Sequence, residues 1–335
     1  MRRVVTLLVI GMVVAGCGVF DARDAREPKL TPVTVSVLPV MDTAPLWTAV
    51  ERGYFADEGL AVTTLTAGSA NDTISLVVNG EADLGYSSYQ AGFSAQAHGA
   101  AGGFGRGQVR VVADGYAAGP GTFAILSRPL SGIDSPADLA GRRVALSTPG
   151  SIVEYACRSA LADAGVDLTT IQWTQVAFPQ MVSTLRGRGG VDGAVLVEPY
   201  LTEARLELDG LAALAVDCAA GPNAGIPLGG YFSTAGFAAE HPTTVAAFRR
   251  ALARGVDDLQ QNRALLNEIV TDPAHVQVST NEAMSTDLAH ELTPGVFRTE
   301  LDEPGLERVA RLMKDYAPNF PADFDVRSML VVRNP

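Results

Sequence analysis

The stretch Gly80-Glu81-Ala82-Asp83-Leu84 recurs in a related form further along the chain as Gly189-Gly190-Val191-Asp192-Gly193. Each copy places a Gly, two residues and then an Asp before an apolar segment that is typical of a strand. Gly-x-x-Asp is common in turns, so the spacing alone carries little information. Its position carries more, because each copy follows the same ordered series of strand, helix, Gly, strand and helix. We therefore predict an α/β protein with two similar lobes.

The segments around these two copies alternate between strand and helix patterns. Residues 33–38 alternate Val with Thr or Ser, which is typical of a strand with one buried face. Strands that alternate with helices favour parallel sheets joined by helical crossovers. The predicted strands are 33–38, 61–65, 82–86, 109–113, 143–146, 171–176 and 194–197, and the predicted helices are 44–52, 71–78, 93–98, 153–164 and 179–186.

The C-terminal third is predominantly helical in pattern. Residues 242–261 carry apolar side chains at three- and four-residue spacing. Helical patterns also cover 264–270 and 303–316, and we expect these helices to pack on the first lobe. A strand pattern at 231–237 indicates a chain that returns to that lobe. Gly-rich connections near 118–122 and 229–233 are the predicted hinges. The predicted domains are 33–118 with 234–335 for the first lobe and 122–229 for the second.

The N-terminus has the pattern of a lipoprotein signal peptide. Basic Arg2 and Arg3 precede an apolar segment that is too short to span a bilayer. That segment ends in Val14-Ala15-Gly16-Cys17, which resembles a bacterial lipobox. We predict removal of residues 1–16, a lipid on Cys17 that anchors the protein outside the cytoplasm, and a linker over 17–32. The alternative is an ordinary secretory signal with a chance Cys. No later segment is long and apolar enough to cross a membrane.

Composition and charge exclude several classes of protein. With 47% hydrophobic and 19% charged residues, the 335-residue chain is globular rather than disordered or fibrous. Its formal net charge of -12 opposes binding to a phosphate backbone, so nucleic acid is not an expected partner. With Cys17 assigned to the lipid, Cys157 and Cys218 remain. They form either a disulfide or two separate buried thiols.

Several motifs together resemble one known family, the NMT1/THI5-like, nitrate/sulfonate/taurine-type periplasmic binding proteins, over roughly residues 33–248. The motifs are Ala44-Pro45-Leu46, Glu51-Arg52-Gly53-Tyr54-Phe55-Ala56-Asp57-Glu58-Gly59-Leu60, Asn79-Gly80-Glu81-Ala82-Asp83-Leu84-Gly85, Pro136-Ala137-Asp138-Leu139-Ala140-Gly141-Arg142-Arg143-Val144-Ala145, and Val191-Asp192-Gly193-Ala194-Val195 with Glu198-Pro199. The resemblance implies a type II periplasmic-binding fold with a ligand cleft between two lobes. It also implies a small-molecule ligand and, as partners, an ABC permease with its ATPase. We expect a monomer without a cofactor.

Some fungal relatives in this family are single-turnover pyrimidine synthases that consume a pocket His and carry a Cys-rich loop. Neither feature stands at the expected place in this chain. The four His residues lie outside the predicted cleft loops, and no His, Cys or carboxylate cluster has metal-ligand spacing. We therefore favour a binding protein over a pyrimidine-forming enzyme. A surface lipoprotein that senses a ligand without transporting it remains an alternative. The four residues are His98, His241, His275 and His290.

Open α/β sheets bind ligands at the carboxyl ends of their strands, so we predict that the cleft is lined by the loops that follow the predicted strands. These loops are 39–45, 67–72, 87–90, 147–151, 178–180 and 198–200. The candidate ligand-binding residues are Asp42, Thr43, Ser69, Asn71, Ser87, Ser88, Tyr89, Tyr116, Thr148, Gly150, Ser151 and Glu198.

The charges in these loops suggest a ligand class without deciding it. Asp42, Asp72 and Glu198 lie in them, whereas Lys and Arg do not. This favours a nitrogen-bearing neutral or cationic ligand, such as a thiamine-pyrimidine precursor, with Tyr89 and Tyr116 placed to stack on it. Alternatively, Asp72 caps a helix and Glu198 binds the backbone of its own lobe. The N–H groups of 147–151 could then hold a sulfonate, taurine or nitrate, or simply cap the next helix.

Overall fold

The computed structural model describes residues 29–99, 109–187, 190–208, 211–276, 285–292 and 294–331. The predicted signal peptide, Cys17 and Gly189 lie outside these ranges. The strands are β1 Thr31–Val37, β2 Leu60–Thr66, β3 Leu84–Ser88, β4 Val109–Ala117, β5 Phe123–Ser127, β6 Arg143–Leu146, β7 Gln172–Gln175, β8 Gly193–Val197, β9 Leu214–Asp217, β10 Pro227–Thr234 and β11 Val296–Phe297. The helices are α1 Ala44–Glu51, α2 Tyr54–Asp57, α3 Ala70–Val78, α4 Tyr89–His98, α5 Ile152–Asp163, α6 Phe178–Arg186, α7 Tyr200–Glu207, α8 Ala235–Glu240, α9 Pro242–Gln261, α10 Arg263–Thr271, α11 Thr286–Glu291 and α12 Glu303–Tyr316.

These elements form two sheets, one in each lobe, as the sequence predicts. The first sheet has the order β11-β4-β10-β3-β1-β2, and the second has the order β7-β6-β8-β5-β9. The central pairs β1–β2, β1–β3, β6–β7 and β6–β8 are parallel. The prediction of parallel sheets was incomplete, because β10 is antiparallel to β3 and β4, and β5 is antiparallel to β8 and β9. These antiparallel strands follow from a chain that leaves one lobe and later returns to it.

The repeated Gly-x-x-Asp performs the same structural task in both lobes. In the first lobe, Asp83 accepts a hydrogen bond from the backbone N–H of Thr34 at 2.8 Å, and its own N–H donates to the carbonyl of Thr34 at 2.9 Å. In the second lobe, Asp192 exchanges the equivalent bonds with Arg143 at 3.0 and 2.7 Å. Each Asp therefore starts the parallel pairing of two central strands, β1 with β3 and β6 with β8.

The chain crosses between the lobes from β4 to β5 and from β9 to β10. The first crossing lies at the predicted position. The predicted second hinge at 229–233 lies instead inside β10, which pairs with β3 and β4. Its glycines serve close packing, because a Cβ at Gly230 would lie 2.4 Å from the Tyr89 hydroxyl and 2.8 Å from the carbonyl of Ala113.

Helix α12 packs on the first lobe, as the sequence predicts, and also contacts the second lobe, which the sequence does not predict. The rings of Tyr316 and Tyr155, which lies on α5 of the second lobe, stack with centroids 6.4 Å apart. Arg308 donates to the carbonyls of Ala224 at 3.0 Å and Gly225 at 3.4 Å. Buried apolar side chains of α12, including Met313, belong to the same core cluster as residues of both lobes. The helix thus joins the lobes on one side of the molecule.

A disulfide joins two elements of the second lobe. The Sγ atoms of Cys157 on α5 and Cys218 after β9 are 2.09 Å apart, and both residues are fully buried. The bond ties α5 to the sheet edge. In the ranges that the structure describes, none of the helices combines the length and the apolar character needed to span a membrane.

Candidate functional site

A cavity of about 350 Å³ lies between the two lobes. Its walls come from the carboxyl ends of β1, β3, β6 and β8, which is where open α/β sheets bind ligands. The first lobe and β10 contribute Val40, Met41, Asp42, Ser88, Gln90, Tyr116, Leu228 and Val276. The second lobe contributes Thr122, Phe123, Leu146, Ser147, Thr148, Ser151, Ile152, Val153, Glu154, Val195, Val197, Glu198, Pro199 and Tyr200.

The structure brings half of the candidate residues to this cavity. Those that line it are Asp42, Ser88, Tyr116, Thr148, Ser151 and Glu198. Those that are absent from its lining are Thr43, Ser69, Asn71, Ser87, Tyr89 and Gly150. Lining residues that sequence reasoning did not nominate include Glu154, Gln90, Phe123, Leu228 and Val276.

The candidates that lie away from the cavity have local structural partners. The Thr43 hydroxyl donates to the carbonyl of Val40 at 2.8 Å and accepts from Trp47. Exposed Ser69 caps α3 by accepting from the N–H of Asp72. The Ser87 hydroxyl donates to a backbone carbonyl at 2.8 Å. Tyr89 is fully buried and donates to Asp114 at 2.7 Å, so its ring packs in the core rather than against the cavity.

Asp42 presents a carboxylate from the first lobe. It lies in the single turn of 3₁₀ helix, Met41–Thr43, that follows β1. The hydroxyl of Tyr86 on β3 donates to its Oδ2 at 2.9 Å. Burial raises the pKa of Asp42 from 3.8 to about 6, and the bond from Tyr86 only partly offsets that effect. A cationic or hydrogen-bond-donating ligand would therefore find here a carboxylate with few competing partners.

Tyr116 lies between the carboxylates of the two lobes. Its hydroxyl accepts a hydrogen bond from the backbone N–H of Gly295 at 2.5 Å. Burial raises the pKa of Tyr116 well above its usual value, and the negative charges of Asp42 and Glu198 raise it further. A Cβ at Gly295 would lie 2.2 Å from the carbonyl of Ala117, so this approach requires a Gly. Tyr116 is thus a neutral ring positioned between two acidic groups.

Glu198 follows β8 in the second lobe, where its peptide bond to Pro199 is cis. Its two oxygens accept bonds from the N–H of Thr202 at 3.1 Å and from the Thr202 hydroxyl at 2.9 Å. Glu198 therefore binds the backbone of its own lobe, which is the alternative that the sequence offers. It also lines the cavity. Tyr200 adjoins it, and burial raises the pKa of Tyr200 to about 12.

At the N-terminus of α5, the carboxylate of Glu154 accepts a hydrogen bond from the preceding loop. Ser151 caps the helix by accepting from the N–H of Glu154 at 3.3 Å. The N–H of Gly150 donates to Oε2 of Glu154 at 2.7 Å, and Arg158 donates to Oε1 at 2.6 Å. Arg158 also lies over the ring of Trp173. Among the N–H groups of 147–151 that the sequence offers as an anion site, that of Gly150 is therefore taken by Glu154, and that of Ser151 donates to the carbonyl of Thr148 at 3.3 Å. The Ser151-x-x-Glu154 capping pattern was the signal available in the sequence.

The electrostatics of the cavity are acidic. Asp42, Glu154 and Glu198 line it, and none of the described lining residues is Lys, Arg or His. The nearest cation in the hydrogen-bonded network of the wall, Arg158, is already paired with Glu154. Much of the remaining wall is apolar or aromatic. Such a cavity is suited to a small molecule that carries positive charge or N–H donors on an apolar framework.

Two α/β lobes joined by two crossings, with a cavity between them, define the architecture of two-lobed solute-binding proteins. Residues 40–264 match the family described as NMT1/THI5 like, and the chain belongs to this family. A search of the curated proteins finds no match to the chain.

Three solved structures illustrate the likeness in fold. The alkanesulfonate-binding protein SsuA of Xanthomonas axonopodis pv. citri, solved with MOPS, has a TM-score of 0.66 at 18% identity, over 92% of this chain and 99% of that one. The aliphatic sulphonate-binding SsuA of Escherichia coli has a TM-score of 0.68 at 18% identity, over 89% of this chain and 96% of that one. The nitrate-binding NrtA of Synechocystis PCC 6803 has a TM-score of 0.67 at 15% identity, over 90% of this chain and 85% of that one. At these identities the likeness shows the fold, a two-lobed periplasmic-binding fold.

Proposed function

We propose that this protein is the extracytoplasmic solute-binding component of an ABC importer, which captures a small molecule between its lobes and delivers it to a permease and its ATPase. Family membership and the interlobe cavity support this role. The volume of about 350 Å³ lies at the small end of the range for ligand sites. The lipobox at Val14-Ala15-Gly16-Cys17 supports anchoring through a lipid on Cys17. The protein acts as a monomer.

We further propose that the ligand is a nitrogen-bearing, neutral or cationic molecule, for which a thiamine-type aminopyrimidine is the first candidate. The observation that carries this is the pairing of Glu154 with Gly150 and Arg158. That pairing places a carboxylate where an anionic ligand would need a free N–H, and it leaves Arg158 already neutralised. Asp42 then offers an acceptor on the facing wall.

A sulfonate, taurine or nitrate ligand is the alternative within the same role, and the names of the solved structures above motivate it. Such a ligand would have to bind among Asp42, Glu154 and Glu198 without a cationic side chain from the described lining. Like charges close together in a desolvated cavity are strongly unfavourable. The acidic wall therefore disfavours this alternative.

A binding role is also favoured over a pyrimidine-forming enzyme, because the described residues of the cavity wall offer no His to be consumed. Family membership is the observation that favours transport over sensing. Adjacent genes for a permease and an ATPase would support transport, and their absence together with a signalling partner would support sensing.

The test is a calorimetric titration of the purified protein with an aminopyrimidine panel and an alkylsulfonate panel, combined with native mass spectrometry of any ligand retained during purification. We expect saturable binding of a nitrogen-bearing ligand at one site and weak or no binding of sulfonates. Tight sulfonate binding would reject the ligand class but keep the solute-binding role. Turnover of a bound molecule would reject the binding role itself.

A further inference from the structure

A cluster of potential metal ligands lies behind the first-lobe wall of the cavity. Glu51 ends α1, whereas Asp272 and His275 lie in the turn that follows α10. One ligand atom from each residue lies within 4.8 Å of the other two. No local pattern predicts this cluster, because Glu51 is distant in the chain and only the fold brings it to the Asp272-Pro273-Ala274-His275 turn.

The neighbouring side chains hold the imidazole and the Asp in place. Trp47, one helical turn before Glu51, stacks on the His275 ring with centroids 4.4 Å apart. Asp272 uses Oδ1 to accept from the N–H of Ala274 at 2.8 Å, which leaves Oδ2 facing Nδ1 of His275 at 4.0 Å. On the other side of the ring, Oε1 of Glu51 lies 3.5 Å from Nε2. Both carboxylates retain exposure and can move.

One buried polar atom of this cluster lacks a hydrogen-bond partner among the described residues. His275 is 8% exposed, and its Nδ1 is buried without a hydrogen-bond partner among the described residues. A buried polar atom without a partner is costly, and most such atoms in folded proteins find one. Asp272 is too far away to serve as a hydrogen-bond partner, yet it points toward this nitrogen. A cation shared by the ring nitrogen and the carboxylate would satisfy both groups.

We propose that Glu51, Asp272 and His275 form a binding site for a divalent transition-metal ion such as Zn²⁺. An imidazole with two carboxylates suits Zn²⁺ better than Mg²⁺ or Ca²⁺, which prefer ligand sets of oxygen alone. One ion binds one ring nitrogen, which here is the unpartnered Nδ1 beside Asp272. The exposed carboxylate of Glu51, which now lies 3.5 Å from Nε2, must therefore move around the ring edge to reach the same ion. Water completes the coordination shell.

The position of this site gives it a structural consequence. His275 directly precedes Val276, which lines the cavity, and α1 directly follows the turn that carries Asp42. A bound ion would fasten these two segments of the first-lobe wall to each other. This inference does not depend on the identity of the transported ligand, nor on whether the protein transports anything.

The experiment uses tag-free, chelator-treated protein, titrated with ZnCl₂ by calorimetry and with CoCl₂ by visible absorption. We expect saturation at about one equivalent and a higher melting temperature in Zn²⁺. His275→Gln and Glu51→Gln should each weaken Zn²⁺ binding at least tenfold, whereas His98→Gln, on α4, should leave it unchanged. Circular dichroism checks folding, and exposed Glu51 provides a variant that is not expected to disturb the core.

Two outcomes would overturn the proposal. One is the absence of saturable binding to the wild-type protein, in which case direct contacts between the imidazole of His275 and the two carboxylates explain the cluster. The other is undiminished binding in both Glu51→Gln and His275→Gln, which would place the ion elsewhere.

Discussion

The hydroxyl of Tyr86 donates a hydrogen bond to Oδ2 of Asp42 at 2.9 Å and holds this carboxylate at the cavity wall. The two residues are brought together by adjacent parallel strands. Asp42 lies in the turn that follows β1, and Tyr86 lies within β3. Burial disfavours the charged form of Asp42, and one neutral donor does not compensate fully. A ligand with a positive charge or an N–H group would supply the missing partner.

Asp42→Asn should weaken binding of a cationic or N–H-donating ligand by about 10- to 150-fold, which corresponds to losing a hydrogen bond to a charged group of about 1.5–3 kcal/mol. Calorimetric titration measures the change. The matched control is Asp72→Asn, because Asp72 lies in the exposed cap of α3, outside the cavity lining. Equal affinities of wild type and Asp42→Asn would exclude Asp42 from ligand binding.

The stability of the ligand-free protein should depend on pH through the same carboxyl group. The folded chain keeps a proton on Asp42 up to about pH 6, whereas its ordinary pKa is 3.8. The free energy of unfolding should therefore fall as pH rises between these values, by about 3 kcal/mol from this group. Asp114, whose pKa burial also raises to about 6, contributes in the same direction.

Urea denaturation of wild type and Asp42→Asn between pH 4 and pH 7.5 measures this dependence. The variant should show a shallower decrease, because the contribution of Asp42 is removed while those of the other carboxyl groups, including Asp114, remain. A saturating cationic ligand should also flatten the wild-type profile, since it lowers the pKa of Asp42. Parallel profiles for the two proteins would contradict the assignment.

Glu154→Ala should improve alkylsulfonate binding about tenfold or more, because it frees the N–H of Gly150 and leaves Arg158 without its partner. Glu154→Gln should give a smaller gain, since its amide oxygen can still accept from Gly150. Glu207→Gln is the control, because Glu207 lies in the same lobe outside the cavity lining. Sulfonate binding that is tight in the wild type and weaker in Glu154→Ala would reverse the interpretation.

The Cys157–Cys218 bond, which joins residues 61 positions apart, should contribute about 4 kcal/mol to the free energy of unfolding, at the upper end of the typical range for a disulfide. Peptide mapping without reduction should recover the linked pair. Denaturation of the double Ser variant against wild type measures the contribution. Recovery of two alkylatable thiols from secreted protein would show that the bond does not form.

Local patterns allowed the two lobes to be predicted, but not the position of the second crossing between them. The Gly-x-x-Asp pattern was informative because Asp83 and Asp192 each accept a hydrogen bond from the backbone of the neighbouring parallel strand. Each Asp also stands at a fixed distance from a turn. The strands β5 and β9 were missed, although Phe123 of β5 lines the cavity. The second hinge was misplaced because the glycines of β10 have a packing role that depends on Tyr89, which is distant in sequence.

The sequence by itself determined the α/β class, the two lobes and the strand ends at which the cavity lies, because period-two alternation, helix stops and turn residues are local properties of the chain. Only the tertiary structure decided which side chains reach the cavity. Tyr89 turned into the core toward Asp114, and Glu154 turned back onto the N–H of Gly150. Side-chain direction at a strand end depends on which neighbours desolvate it, and those neighbours come from distant segments. For the same reason, Glu51 and His275 meet only in the folded protein.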